Sequence, residues 1–169
     1  MSKLKITKYG EPILRKKTDT IFEINSDIEK LAYDMLETMY FASGVGLAAT
    51  QVGISLDLCV IDIDLNKKSP LIMINPKIIF SSENNISTEE GCLSLPKFYE
   101  IVSRPDEVIV EYVDVKGKKM KIKATGLLAR VMQHEIDHLN AKIFIDYLPK
   151  WRIKVIEKEI KRKKRTGDW

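Results

Sequence analysis

The sequence predicts an α+β fold: mixed or antiparallel β-sheets packed around a central helix, with one helix before the strands and another after them. Three observations carry this prediction. Residues 57–124 hold a run of short segments rich in β-branched residues, punctuated by Asn, Pro, Ser and Gly. An apolar stripe of helical period precedes them, and a second follows from about Thr125. Strands in a run with helices at the ends favour segregated elements over the alternating order of a doubly wound sheet.

Taken in order, Tyr9-Gly10-Glu11-Pro12 predicts a turn and a short helical piece to about Lys16. Ser26-Asp27-Ile28-Glu29 matches a capping box, with the serine accepting from the first turn and the glutamate reaching back. Behind it Ile28, Leu31, Ala32, Met35, Leu36, Met39 and Tyr40 form one helix stripe, with Gly44 as its stop signal. Strands are expected at Leu58–Ile63, Leu71–Ile74, Ile78–Phe80, Glu100–Ser103 and Val108–Val113. The last pairs through Lys116-Gly117 with Met120 and Ile122 as a hairpin. The next helix runs from Thr125 or Gly126 to about Asn140. Pro149–Arg165 reads as an amphipathic or solvated helix with frayed last residues.

At 169 residues the chain fits one domain over 1–169, including a basic tail at 150–169. Its apolar runs are too short to cross a bilayer, and the N-terminus shows no signal peptide. This describes a cytoplasmic protein or one processed for an organelle. The net charge of +4 is uneven, because residues 150–165 hold nine Lys or Arg against Glu157 and Glu159. An anionic partner would meet this tail before the body. Of the two cysteines, Cys59 sits in an apolar strand and reads as core. Cys92 lies between Gly91 and Pro96, in a loop-like setting between strands.

The chain's only histidines fall in Gln133-His134-Glu135-Ile136-Asp137-His138. Residues i and i+4 share one helix face, so the two imidazoles can grip one ion with a glutamate alongside. A packed core residue is the plainer reading of one such histidine, and a pair can arise by coincidence; the lack of any other histidine, the intervening Glu135 and Cys92 together shift the balance. Two imidazoles and a thiolate leave a fourth position for water, as a catalytic site requires. A metal lowers the pKa of that water, and Glu135 can take its proton and hand it to a leaving amine. The local pattern thus points to hydrolysis of an amide or related bond by a central metal-binding helix. Gly44-Val45-Gly46-Leu47-Ala48-Ala49-Thr50-Gln51 is a backbone that something approaches closely, or a tight turn packed beneath a neighbour. It has no preceding strand and no Gly-Lys-Ser/Thr ending, which argues against a phosphate loop.

Together, Gly44–Gln51, Glu90-Gly91-Cys92-Leu93-Ser94 and Gln133–His138 resemble the three signature motifs of peptide deformylases, in order and spacing. The resemblance spans essentially the whole chain. It implies removal of the N-formyl group from the initiator methionine of nascent polypeptides, with release of formate. It implies one divalent metal held by Cys92, His134 and His138, with Fe2+ native and Zn2+, Ni2+ or Co2+ able to replace it. Glu135 is then the general acid/base, and Gln51 and the Leu93 N–H are the oxyanion donors. Gly44, Val45, Gly46, Glu90, Gly91, Leu127 and Val131 are the expected substrate contacts, with Val45 hydrogen-bonding an extended peptide. The resemblance further implies a ribosome contact near the nascent-chain exit through the basic C-terminal helix. A monomer with no membrane partner is expected.

Two details are specific to this chain. Glu90 is expected to pair with Arg104 and steady the ligand loop. Tyr99 stands near the substrate entrance, where many relatives carry arginine. Two rival readings remain. Another metal-dependent amidase or peptidase would draw its third ligand from Asp146 or Glu157 downstream. A nucleic-acid-binding or structural protein would carry a relict site beside its basic tail.

Overall fold

The computed structural model describes residues 3–64, 66 and 69–169. Its main layer is a five-stranded sheet in the order β1-β2-β3-β6-β7: β1 Gly46–Ala48, β2 Leu58–Ile61, β3 Leu71–Ser81, β6 Glu107–Val113 and β7 Lys119–Thr125. A separate hairpin pairs β4 Asn85–Cys92 with β5 Leu95–Pro105. All pairings between these strands are antiparallel. The helices are α1 Ser26–Phe41, α2 Gly126–Leu139 and α3 Lys150–Thr166. The α+β expectation holds, and the hairpin through Lys116-Gly117 pairs Tyr112 with Met120 and Val110 with Ile122.

The unbroken apolar run of β2 has a direct cause. Side chains alternate across a strand, and both faces of this strand are covered. Leu58 and Val60 pack with Met35, Leu36 and Met39 of α1. Cys59 and Ile61 pack with Ala129, Met132 and Ile136 of α2. Cys59 is therefore core, as expected, and burial pushes its thiol pKa well up. A third cluster joins Leu14, Leu95, Phe98, Phe144, Ile156 and Ile160, which seats α3 against the β4–β5 hairpin.

Several local expectations are corrected. Asn25, not Ser26, caps α1: its side chain accepts from the N–H groups of Asp27 and Ile28, both at 3.1 Å. The helix ends before Gly44, because Ser43 takes the left-handed turn at φ 56. Ser43 N–H then reaches Tyr40 O and Gly44 N–H reaches Met39 O, which closes a Schellman motif. The two expected segments 71–74 and 78–80 are one strand, β3, with irregular register near Asn75 and Pro76. Proline cannot donate to the ladder, and Asn75, at φ 50, exchanges side-chain hydrogen bonds with Ile21 instead. β2 stops at Ile61 rather than Ile63. The stretch around Cys92 is strand and tight turn, not loop, and the expected Glu100–Ser103 strand extends to Leu95–Pro105. The C-terminus does not fray: Gly167 caps α3, Asp168 N–H bonds Lys163 O, and the Trp169 ring meets Phe98 edge-on at 6.2 Å.

Candidate metal centre and cavity

α2 carries His134, Glu135 and His138 on buried positions because its apolar side is pressed onto the sheet. Cys92 ends β4, just before the tight turn into β5. The two elements meet so that one ligand atom from each of Cys92, His134 and His138 lies within 4.8 Å of the others. Cys92 Sγ is 3.3 Å from His138 Nε2. Tetrahedral coordination with bonds of about 2.0–2.3 Å needs ligand separations of roughly 3.3–3.8 Å, so the donor set fits a metal ion. Nδ1 of His134 is engaged by Glu90 at 3.0 Å, leaving Nε2 for the metal side. His138 Nδ1 is buried without a hydrogen-bond partner among the described residues.

Electrostatics reinforce this picture. Burial opposes protonation of His134, but bonds with Cys92 and Glu90 outweigh it and raise its pKa. His138 is shifted the other way, by burial first and then by the charges of His134 and Arg104. A cation displaces the proton that such a cluster otherwise shares. Glu135 is pushed up to about 7, chiefly by burial. Its Oε2 is buried with no hydrogen-bond partner among the described residues.

Behind the ligands lies a closed charge network. Burial alone would raise the pKa of Glu90, but His134 and Arg104 hold it down at about 2. Arg104 grips Glu90 through Nε and through Nη2 at 3.0 Å, and its Nη1 meets Asp137 at 2.8 Å. The expected Glu90–Arg104 pair is thus present, and Arg104 is 2% exposed. Sequence reasoning did not single out Asp137, Tyr147, Arg130 or Phe144. The Tyr147 hydroxyl donates to Asp137, Arg130 bonds Glu90, and Phe144 stacks on the His134 ring at 5.9 Å. The available signal was a buried-periodicity arginine, Arg130, one turn before His134 on the same helix.

Gln51 sits on a 3-10 turn, Ala49–Val52, directly after β1. Its Oε1 accepts from Ala48 N–H at 2.9 Å, which orients the amide. Nε2 therefore faces the Cys92 thiol at 3.4 Å and the Ser94 hydroxyl at 3.3 Å. A cavity of about 540 Å³ opens beside the donor set. All seven expected substrate contacts line it: Gly44, Val45, Gly46, Glu90, Gly91, Leu127 and Val131. Gln51, Cys92, Leu93, His134 and Glu135 line it as well, while His138 lies behind them. Tyr99 is on the wall, its ring resting on Gly91, where a Cβ would stand 2.7 Å from the ring edge.

β1 is the terminal strand of the sheet beside this cavity, and it is corrected from turn to strand. Val45 O accepts from Asp62 N–H, so the Val45 carbonyl is spent on the sheet side. By the alternation of an antiparallel ladder, the main-chain groups turned to the open edge are those of Gly46. The rival third ligands are engaged elsewhere: Asp146 pairs with Arg15 at 2.6 Å, and Glu157 accepts from the Tyr9 hydroxyl.

The chain is similar to known proteins over essentially its whole length. The family model described as polypeptide deformylase matches residues 3–154. A peptide deformylase of Endomicrobium trichonymphae is 62% identical over 169 residues, covering all of both chains. One from Rhizobium meliloti is 49% identical over 160 residues, covering 93% of this chain and 92% of that one. Among solved structures, the peptide deformylase of Ehrlichia chaffeensis in complex with actinonin superposes with a TM-score of 0.93 at 37% identity, covering 98% and 99% of the two chains. Burial, donor set and full-length similarity agree, and the chain belongs to the polypeptide deformylase family, metal-dependent hydrolases that remove the formyl group from an N-terminal methionine.

Proposed function

We propose that this chain deformylates N-formyl-methionyl peptides with Glu135 as general acid/base and with Gln51 and the Leu93 N–H as oxyanion donors. The supporting observation is convergence on one cavity: a Cys-His-His donor set, a Glu135 carboxyl oxygen without a hydrogen-bond partner among the described residues, and a Gln51 amide aimed at Cys92. Cys92, His134 and His138 would hold a divalent ion, Fe2+ in the native state. When bound it supplies Lewis acidity and makes a water nucleophilic near neutral pH.

The protein's own groups account for the remaining steps. The extended peptide adds to the open edge of β1 as a further strand, at Gly46. The methionine side chain enters the apolar part of the cavity at Leu127, Val131 and Gly91. Glu135 takes the proton of the attacking water, then returns it to the leaving amine. Charge that develops on the formyl oxygen is met by Gln51 Nε2 and the Leu93 N–H. Tyr99 and Leu127, 61% and 56% exposed, form the rim over which residues after methionine pass.

The test is formate release from a formyl-methionyl tripeptide under anaerobic conditions, with metal analysis of each sample. Glu135→Gln should lower kcat by roughly 10²–10⁴ while retaining metal. Undiminished turnover removes the Glu135 assignment.

The protein is also proposed to work as a monomer in the cytoplasm and to approach the ribosome through α3. Lys154, Lys158, Lys161 and Arg165 line one exposed side of that helix. Truncation after Pro149 is a poor test, because Ile156 and Ile160 belong to a core cluster. Charge reversal at Lys158, Lys161 and Arg165 should instead weaken ribosome cosedimentation in a salt-dependent way and leave tripeptide hydrolysis unchanged. Unaltered cosedimentation excludes the role.

A further inference from the structure

Arg130 is a buried guanidinium, 9% exposed, one helical turn before His134 on α2. Its Nη1 donates to Glu90 Oε1 at 2.6 Å and to Val102 O at 2.9 Å, and its Nη2 donates to Ile86 O at 2.5 Å. One side chain of the histidine-bearing helix thus binds both strands of the cysteine-bearing hairpin, since Ile86 and Glu90 belong to β4 and Val102 to β5. Glu90 lies two residues before Cys92, and its other oxygen meets His134 Nδ1.

Charge counting shows why a neutral replacement cannot serve. The set is buried Glu90 and half-buried Asp137 against buried Arg104 and Arg130. Arg104 is shared between both carboxylates. Without Arg130, buried Glu90 loses one of its two guanidinium partners, and two carbonyls lose their donor. Both effects favour separation of the hairpin from the helix. Arg104 cannot substitute, because none of its hydrogen bonds reaches a main-chain carbonyl.

We propose that Arg130 is a positioning residue of the metal site: by tying Ile86, Glu90 and Val102 to α2, it sets the distance of the Cys92 thiolate from His134 and His138. The proposal rests on the metal role given above to those three residues. It requires no contact between Arg130 and the ion.

The experiment loads the full chain with cobalt(II). It records the thiolate-to-cobalt absorption band and the rate of metal release to a chelator for wild type, Arg130→Met and Arg130→Lys. The methionine variant should release metal roughly 10- to 100-fold faster, with a weakened or shifted band. The lysine variant can reach Glu90 but not both carbonyls, so its release rate should fall between the other two. Leu36→Ala, in the apolar cluster between α1 and β2, serves as a stability control: it should lower Tm and leave the band unmoved. If Arg130→Met does not fold, the lysine variant decides. A band and release rate identical to wild type in the folded variants overturn the role of Arg130. A wild-type chain that gives no thiolate band overturns it together with the metal assignment beneath it.

Discussion

Gly46 and Glu135 are in contact that leaves no room for a side chain: a Cβ at Gly46 would stand 2.8 Å from Glu135 Cδ. The glycine is required because the edge of β1 runs directly over the buried carboxyl. Gly46→Ala should therefore displace Glu135 while leaving the metal ligands in place. A displacement of about 1 Å can cost on the order of 10²-fold in rate. Formate release should fall by that order with metal content unchanged, and full activity would contradict the contact.

Arg104 compensates two carboxylates, buried Glu90 and half-buried Asp137. Removing one partner from a buried pair costs about 3–5 kcal/mol. Arg104→Ala should lower Tm and reduce metal content, because Glu90 then no longer orients His134. The measurements are calorimetry and metal analysis. A variant with full activity and unchanged metal content removes Arg104 from this role.

A thiolate ligand exposes the proposed iron site to oxygen. Cys92 lines the open cavity and is only partly buried. In air the iron-loaded protein should lose activity faster than the nickel-loaded one, through oxidation of the metal or of Cys92. Equal half-lives for the two forms would argue against this.

The Tyr9 hydroxyl donates to Glu157, joining the N-terminal turn to α3. Burial first, and then Glu157, raises the pKa of Tyr9 above the ordinary tyrosine value. A raised folded pKa means that the folded state holds the proton more tightly. The stabilisation is complete below about pH 10, the unfolded value, and is lost as pH rises through the higher folded value. Tyr9→Phe should therefore be less stable near neutrality and lose less of its stability above pH 10. Parallel pH–stability curves for the two proteins would exclude the linkage.

How much was legible in advance varied with the physics of each feature. The α1 stripe from Ile28 to Tyr40 and the spacing of His134 and His138 are periodic, and periodicity survives any choice of neighbour. β1 and β4 were missed for the opposite reason. Gly46-Leu47-Ala48 and Asn85–Cys92 have little intrinsic strand preference, and each is strand because a partner strand supplies its ladder. Ser43 took the left-handed turn beside an available glycine, and Gly44 instead leaves room for Leu93, which a Cβ there would meet at 2.8 Å.

By itself, then, the sequence determined the α+β order, the Cys92, His134 and His138 donor types, and Glu135 beside them. Only the tertiary structure decided that Glu90 faces His134, that Arg104 and Arg130 neutralise it, and that Gly46 lies against Glu135. Those relationships join residues 14 to 89 positions apart, and they depend on how the β4–β5 hairpin and β1 dock on α2. Local periodicity reports which side of an element is buried. The partner buried against it is set by packing and charge compensation among elements that meet only after folding.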